Sequence, residues 1–229
     1  MGLLSGLRGP RREAIKRDVA QALDGVLVKT PPGHTVVVSD LDGWTVVYDI
    51  NSPQEGPPPL FFGPRTVSRI GIPFKARDGF FWDLKRRRMV GDRIYDRRMA
   101  EGPSWEAVFE QIRPQLRTPD IEFGFGDFDY EFTHETNDEP RLRELLATPE
   151  IRGLIQEQPF VRLKVESIEG WLDSLVKELP ADTGAVYFQD LAVIAHAGMI
   201  EDIHHLLRAL VDRLIAIGSA SPSPPRIFD

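Results

Sequence analysis

Three short valine-rich runs near the amino terminus, each ended by turn chemistry, constrain this chain more than any other feature. Residues 26–29, 35–39 and 45–50 are rich in β-branched side chains, and Pro31-Pro32-Gly33 and Asp42-Gly43 separate them. Such side chains suit a pleated surface, and an Asp-Gly pair suits a tight hairpin, so the runs predict neighbouring antiparallel strands. Residues 66–74, 80–84, 128–133, 160–166 and 185–195 read as further strands. Helices are predicted over 11–23, 104–112, 138–146 and 149–158. The strongest is 200–217, where Ile200, Ile203, Leu207, Leu210 and Leu214 recur at three- and four-residue spacing. Strands and helices do not alternate strictly. The expected fold is therefore α+β: antiparallel sheet packed with helices, with a long C-terminal helix. The expected organisation is a single domain over 1–218 with a basic insertion at about 85–118, then a flexible Pro/Ser tail over 219–229.

Composition narrows the chemistry. The 229 residues contain no cysteine, which excludes disulfides, thiolate metal sites and a cysteine nucleophile. A hydrophobic content of 41% is enough for a core, so wholesale disorder is not expected. The formal net charge of -7 disfavours unselective nucleic-acid binding. The longest uncharged apolar run, residues 191–200, contains His196 and is about half the length of a spanning helix. No transmembrane segment and no export signal are expected, and the cytoplasm is the expected address, with peripheral attachment to the cytoplasmic face of a membrane if the amino-terminal arm docks.

Against this acidic background two segments are basic. The first seventeen residues hold Arg8, Arg11, Arg12, Lys16 and Arg17 against Glu13, behind an apolar tip. Residues 85–98 hold Lys85, Arg86, Arg87, Arg88, Arg93, Arg97 and Arg98 against Asp92 and Asp96. Crowded guanidinium groups repel one another unless an anionic surface or water screens them, and arginine's planar fork fits carboxylate and phosphate. Tyr95 and Trp105 add apolar contact area. The expected partner is an acidic protein surface or an anionic membrane surface, reached through Arg8, Arg11, Arg12, Lys85, Arg86, Arg87, Arg88, Arg93, Tyr95, Arg97, Arg98 and Trp105. The function expected from this pattern is a non-catalytic accessory or scaffold protein of a larger bacterial assembly, with no cofactor.

The rival reading is enzymatic. Val36-Val37-Val38-Ser39-Asp40-Leu41-Asp42-Gly43-Trp44-Thr45 resembles the first motif of haloacid-dehalogenase-type phosphatases. That resemblance implies a magnesium-dependent hydrolase with Asp40 as nucleophile and Asp42 as acid/base. A strand pattern resumes at once after Gly43, however, and no strand-borne lysine and acidic pair follow in the family's order, so the pair is expected to form a hairpin turn. Glu201 and His205 lie four apart and could share a metal, with His196 the only third ligand close in sequence; acids stabilising a helix start are the simpler account.

A second resemblance spans most of the chain. It is carried by Trp44 to Asp49, Thr66 to Arg69 with Pro73-Phe74, Asp78-Gly79-Phe80, Asp120 to Gly124, Phe128 to Phe132, Asn137-Asp138, Pro149 to Ile155 with Gln158-Pro159, Glu169-Gly170-Trp171, Tyr187-Phe188-Gln189 and Ile217 to Ala220. In this order the pieces resemble a family of small soluble uncharacterised bacterial proteins. The resemblance implies one α+β unit and no established activity. The insertion near 85–118 and the proline-rich 51–64 loop depart from it, and such surface additions are where a private partner attaches.

Overall fold

The computed structural model describes residues 8–31, 33–53, 66–87, 121–158, 162–167, 170–176, 179–190 and 197–228. Helix α1 (Arg8–Ala22) is followed by β1 (Val26–Lys29), β2 (Thr35–Leu41), β3 (Trp44–Pro53), β4 (Thr66–Lys75) and β5 (Trp82–Arg86). Then come α2 (Asp127–Glu131), β6 (Phe132–Thr136), α3 (Glu139–Leu146), α4 (Pro149–Glu157), β7 (Arg162–Ser167), a 3-10 turn (Trp171–Ser174), β8 (Thr183–Asp190) and α5 (Ala197–Ala216). The eight strands form one sheet in the order β1-β2-β3-β4-β8-β7-β5-β6, and every pairing is antiparallel. The α+β class, the antiparallel sheet and the long C-terminal helix agree with the sequence reading.

Period-two alternation divides the sheet into two faces. Tyr48, Ile50, Ile70, Ile72, Trp82, Leu84, Leu163, Val165, Val186 and Phe188 point to one face. There they meet Val19 of α1, Leu142 and Leu145 of α3, Ile151 and Ile155 of α4, and Ile203, Leu207, Leu210 and Leu214 of α5. The three- and four-residue spacing that predicts α5 thus supplies the buried stripe. On the opposite face Val36, Val47, Ala185 and Tyr187 pack with Trp171, Leu172 and Leu175. Gly71 is required there, because a Cβ would lie 2.6 Å from the Trp171 ring.

Four expectations need correction or relocation. Residues 128–133 are not one strand: α2 occupies the first part and β6 begins at Phe132. Phe128 and Phe132 are both buried and lie four apart, a spacing that serves a helical turn as well as alternation. The tail expected after residue 218 makes contacts with the sheet within Ser219 to Phe228. Gly218, at φ 81°, ends α5, and Ala220 then bridges to Ala76 while the Ser221 amide donates to the Lys75 carbonyl at 2.9 Å. Ile227 and Phe228 pack against the second-face cluster. Prolines bar a helix from this segment but not an extended path along the sheet. The helix expected over 104–112 and the end of the strand expected over 185–195 lie outside the described residues.

Candidate functional site

The basic segment begins on β5, and its first three cations have distinct surroundings. Lys85 lies on the second face, 3.2 Å from the Asp83 carboxylate. Arg86 points the other way. Its guanidinium pairs with Glu131 of α2, donates to the carbonyls of Gln156 at 2.8 Å and Gln158 at 2.7 Å, and stands 4.9 Å from the Phe132 ring centre. Those two carbonyls belong to the end of α4, where a cation satisfies groups that the helix leaves open. The Arg87 amide donates to the Glu131 carbonyl at 2.9 Å, and its Nε donates to the Phe132 carbonyl at 3.2 Å. Gln156 donates to the other Glu131 oxygen at 3.0 Å. Arg86 and Arg87 therefore fasten the outgoing chain to α2, β6 and α4.

The returning chain is fastened beside it. The amides of Phe123, Gly124 and Phe125 donate to one oxygen of Asp129, at 3.2, 2.9 and 2.9 Å. Gly124 and Gly126 hold φ angles of 82° and 61°, a region that glycine enters without strain, and this lets the loop close on the carboxylate. Arg143 donates to the Phe123 carbonyl at 2.6 Å, and Arg152 stacks over Phe125 at 4.3 Å. Both limbs of the insertion thus leave from one braced platform. Arg88, Arg93, Tyr95, Arg97, Arg98 and Trp105 lie outside the described residues. Arg8, Arg11 and Arg12 fall within α1, and their side chains are likewise not described.

A second polar array crosses the other face of the sheet. Asp83 is 4% exposed and is met by Arg162 through both oxygens, at 3.1 and 3.4 Å, and by Lys164 at 3.8 Å, besides Lys85. The neighbouring cross-strand row runs Asp49, Arg69, Gln189, Arg162. Arg69 links Asp49 at 3.4 Å to Gln189 at 3.2 Å, and the Trp171 indole donates to Asp49 at 3.2 Å. Glu166 accepts from the Trp171 amide at 2.8 Å and from the Tyr187 hydroxyl at 3.0 Å. Burial, reinforced by Glu166, raises the Tyr187 pKa and keeps that hydroxyl a donor. Such an array binds its own charges across β3, β4, β8, β7 and β5. The sequence pattern does not single out Asp83, Arg162 or Lys164. The alternation of charged and apolar residues in Trp82-Asp83-Leu84-Lys85 and in Arg162-Leu163-Lys164-Val165-Glu166 was the available signal.

The remaining candidates are dispersed. Asp42 and Gly43, at φ 52° and 81°, make the β2–β3 turn, and the Asp40 carboxylate accepts the Gly43 amide at 3.1 Å. Asp40 and Asp42 are both exposed, in the hairpin expected from the sequence. Glu201 and His205 are exposed on α5, while His204 turns inward to bond the buried Tyr48 hydroxyl, which also shares a 3.0 Å bond with Ser39. Burial pushes the Tyr48 pKa up to about 12, with the Ser39 bond opposing, and burial lowers that of His204. Among the described residues no group of three His, Asp or Glu side chains is placed to hold a metal. No helix among them is long and apolar enough to cross a membrane.

Comparison with protein-family models, with curated proteins and with solved structures finds no match for this chain.

Proposed function

We propose that this protein is a non-catalytic accessory or scaffold protein that presents a basic insertion to an acidic protein surface within a larger assembly. The observation that carries the reading is the braced platform. Arg86, Arg87, Asp129, Arg143 and Arg152 are spent on holding the two limbs of the insertion to α2, β6 and α4. A braced base fixes where the two limbs of the insertion leave the fold, so a partner meets them pre-organised. Within this division of labour, Arg86 and Arg87 position the insertion, and Arg88, Arg93, Arg97 and Arg98 make the anion contacts, with Tyr95 and Trp105 as anchors. Arg8, Arg11 and Arg12 supply a second basic contact from the amino-terminal arm.

The test compares wild type with Arg93→Glu/Arg97→Glu/Arg98→Glu in pull-downs from extract of the native host at moderate salt. Loss of an acidic protein partner, with helical content and melting temperature unchanged, is expected. Equal recovery by both proteins overturns the reading. Sedimentation with phosphatidylglycerol vesicles is the parallel arm, and charge-dependent binding there without a protein partner replaces the acidic protein by a membrane surface.

A further inference from the structure

We propose that two copies of this chain pair through β1, antiparallel about a two-fold axis at Leu27, so that their sheets join edge to edge. Strand β1 is one end of the sheet. The Thr30 amide donates to the His34 carbonyl at 2.8 Å, and that pair continues the register in which Val28 faces Val36 and Val26 faces Val38. Antiparallel partners alternate between bonded and non-bonded pairs. The backbone polar groups of Val26 and Val28 therefore point towards β2, and those of Leu27 and Lys29 point away from the sheet. Among the described residues no strand pairs with that outer side.

The side chains are open as well. Val26 and Leu27 are 62% and 41% exposed, and they are the large hydrophobics exposed among the described residues. Sheet edges are usually guarded by charge, proline or a bulge, because an open edge templates another strand. The opposite edge, β6, places Thr133 and the exposed Glu135 on its second face. Strand β1 keeps only its shortness and Lys29.

A second copy is the occupant because Val26-Leu27-Val28 reads the same in both directions. Antiparallel pairing centred on Leu27 sets Leu27 against itself and Val26 against Val28 of the other copy, with apolar contact on both faces. The Leu27 amide and carbonyl then bond reciprocally. At either end Lys29 comes opposite Gly25 and next to the exposed Asp24, so the flanks match in charge. A contact this short is weak and concentration-dependent. If the basic insertion acts as proposed above, the two-fold sets one insertion at each far end of the joined sheet, which favours bivalent docking.

Sedimentation velocity of the full chain over a concentration series tests the pairing. A reversible monomer–dimer equilibrium is expected for wild type. Leu27→Lys is expected to abolish it, and so is Leu27→Pro, which removes an outward amide without touching the β1–β2 ladder. Circular dichroism checks that both variants fold. Because the chain has no cysteine, Leu27→Cys reports the register: it is expected to give a disulfide dimer under mild oxidation, where Glu157→Cys on α4 does not. A wild type that stays monomeric at the highest attainable concentration overturns the proposal. So does a dimer indifferent to both Leu27 variants, and so does equal crosslinking through Leu27→Cys and Glu157→Cys. The pairing stands or falls without reference to the partner pull-down.

Discussion

The two faces of the sheet use the same strands to meet opposite demands. On the helix-covered face Phe188, Leu163 and Leu84 occupy successive strands and are fully buried among apolar neighbours. One residue further along, Gln189, Arg162 and Lys85 occupy the same strands and face the other way, into the row of charges. The first face is stabilised by filled volume, which is insensitive to direction. The second depends on atoms meeting at hydrogen-bonding distance across strands, and each carboxylate there is useful only while its cations stay in place. Breaking the two faces should therefore cost different amounts for different reasons.

The largest effect is expected on the dry face. Phe188→Ala opens a cavity between Ile70 and Leu163, its partners on both sides. A loss of about 3–5 kcal/mol is expected from chemical denaturation. Gln189→Ala, one residue on and facing the other side, removes only its bond to Arg69, and about 1 kcal/mol is expected. Equal costs would show that the two faces are not distinct.

An intermediate effect is expected at Asp49. Its carboxylate is almost wholly buried and takes bonds from Arg69 and the Trp171 indole. Asp49→Ala strands both donors in a site from which water is largely excluded, and about 3 kcal/mol is expected. Asp49→Asn keeps one acceptor oxygen and should cost less. If Asp49→Ala unfolds at the wild-type denaturant midpoint, the charged row contributes nothing to stability.

How much of this was legible follows from the range of each interaction. Alternation and turn residues specify β1 to β4 because each strand pairs with its sequence neighbour. Spacing specifies α5 for the same local reason. Strand order beyond β4 was not legible, since β8 inserts between β4 and β7 across more than a hundred residues of chain. The platform was hidden for a related cause. Arg86 looked like surface charge because its acceptors, Glu131 and the end of α4, stand 45 to 72 residues away. Proline in the tail forbids a helix, and composition says nothing about the bridge of Ala220 to Ala76. Asp129 was read as part of a strand because its capture of three amides depends on two glycine φ angles that no periodicity reports.

The smallest expected effect concerns a polar chain that enters the dry face. Ser39, Tyr48 and His204 are bonded in series between β2, β3 and α5. Burial lowers the His204 pKa below its ordinary 6.5, and Glu201 only partly opposes this. Because the folded state holds this proton less tightly than the unfolded chain, His204 favours folding above pH 6.5, and that contribution is lost as pH falls through the lower folded value. Melting temperature should therefore drop more steeply below pH 6.5 in wild type than in His204→Gln, which keeps a partner for the Tyr48 hydroxyl but does not titrate. At pH 8 the two should differ only by the cost of repacking an amide. Parallel profiles from pH 8 to pH 5 would mean that protonation leaves the contact of α5 with the sheet unchanged, so that the helix face depends on packing alone.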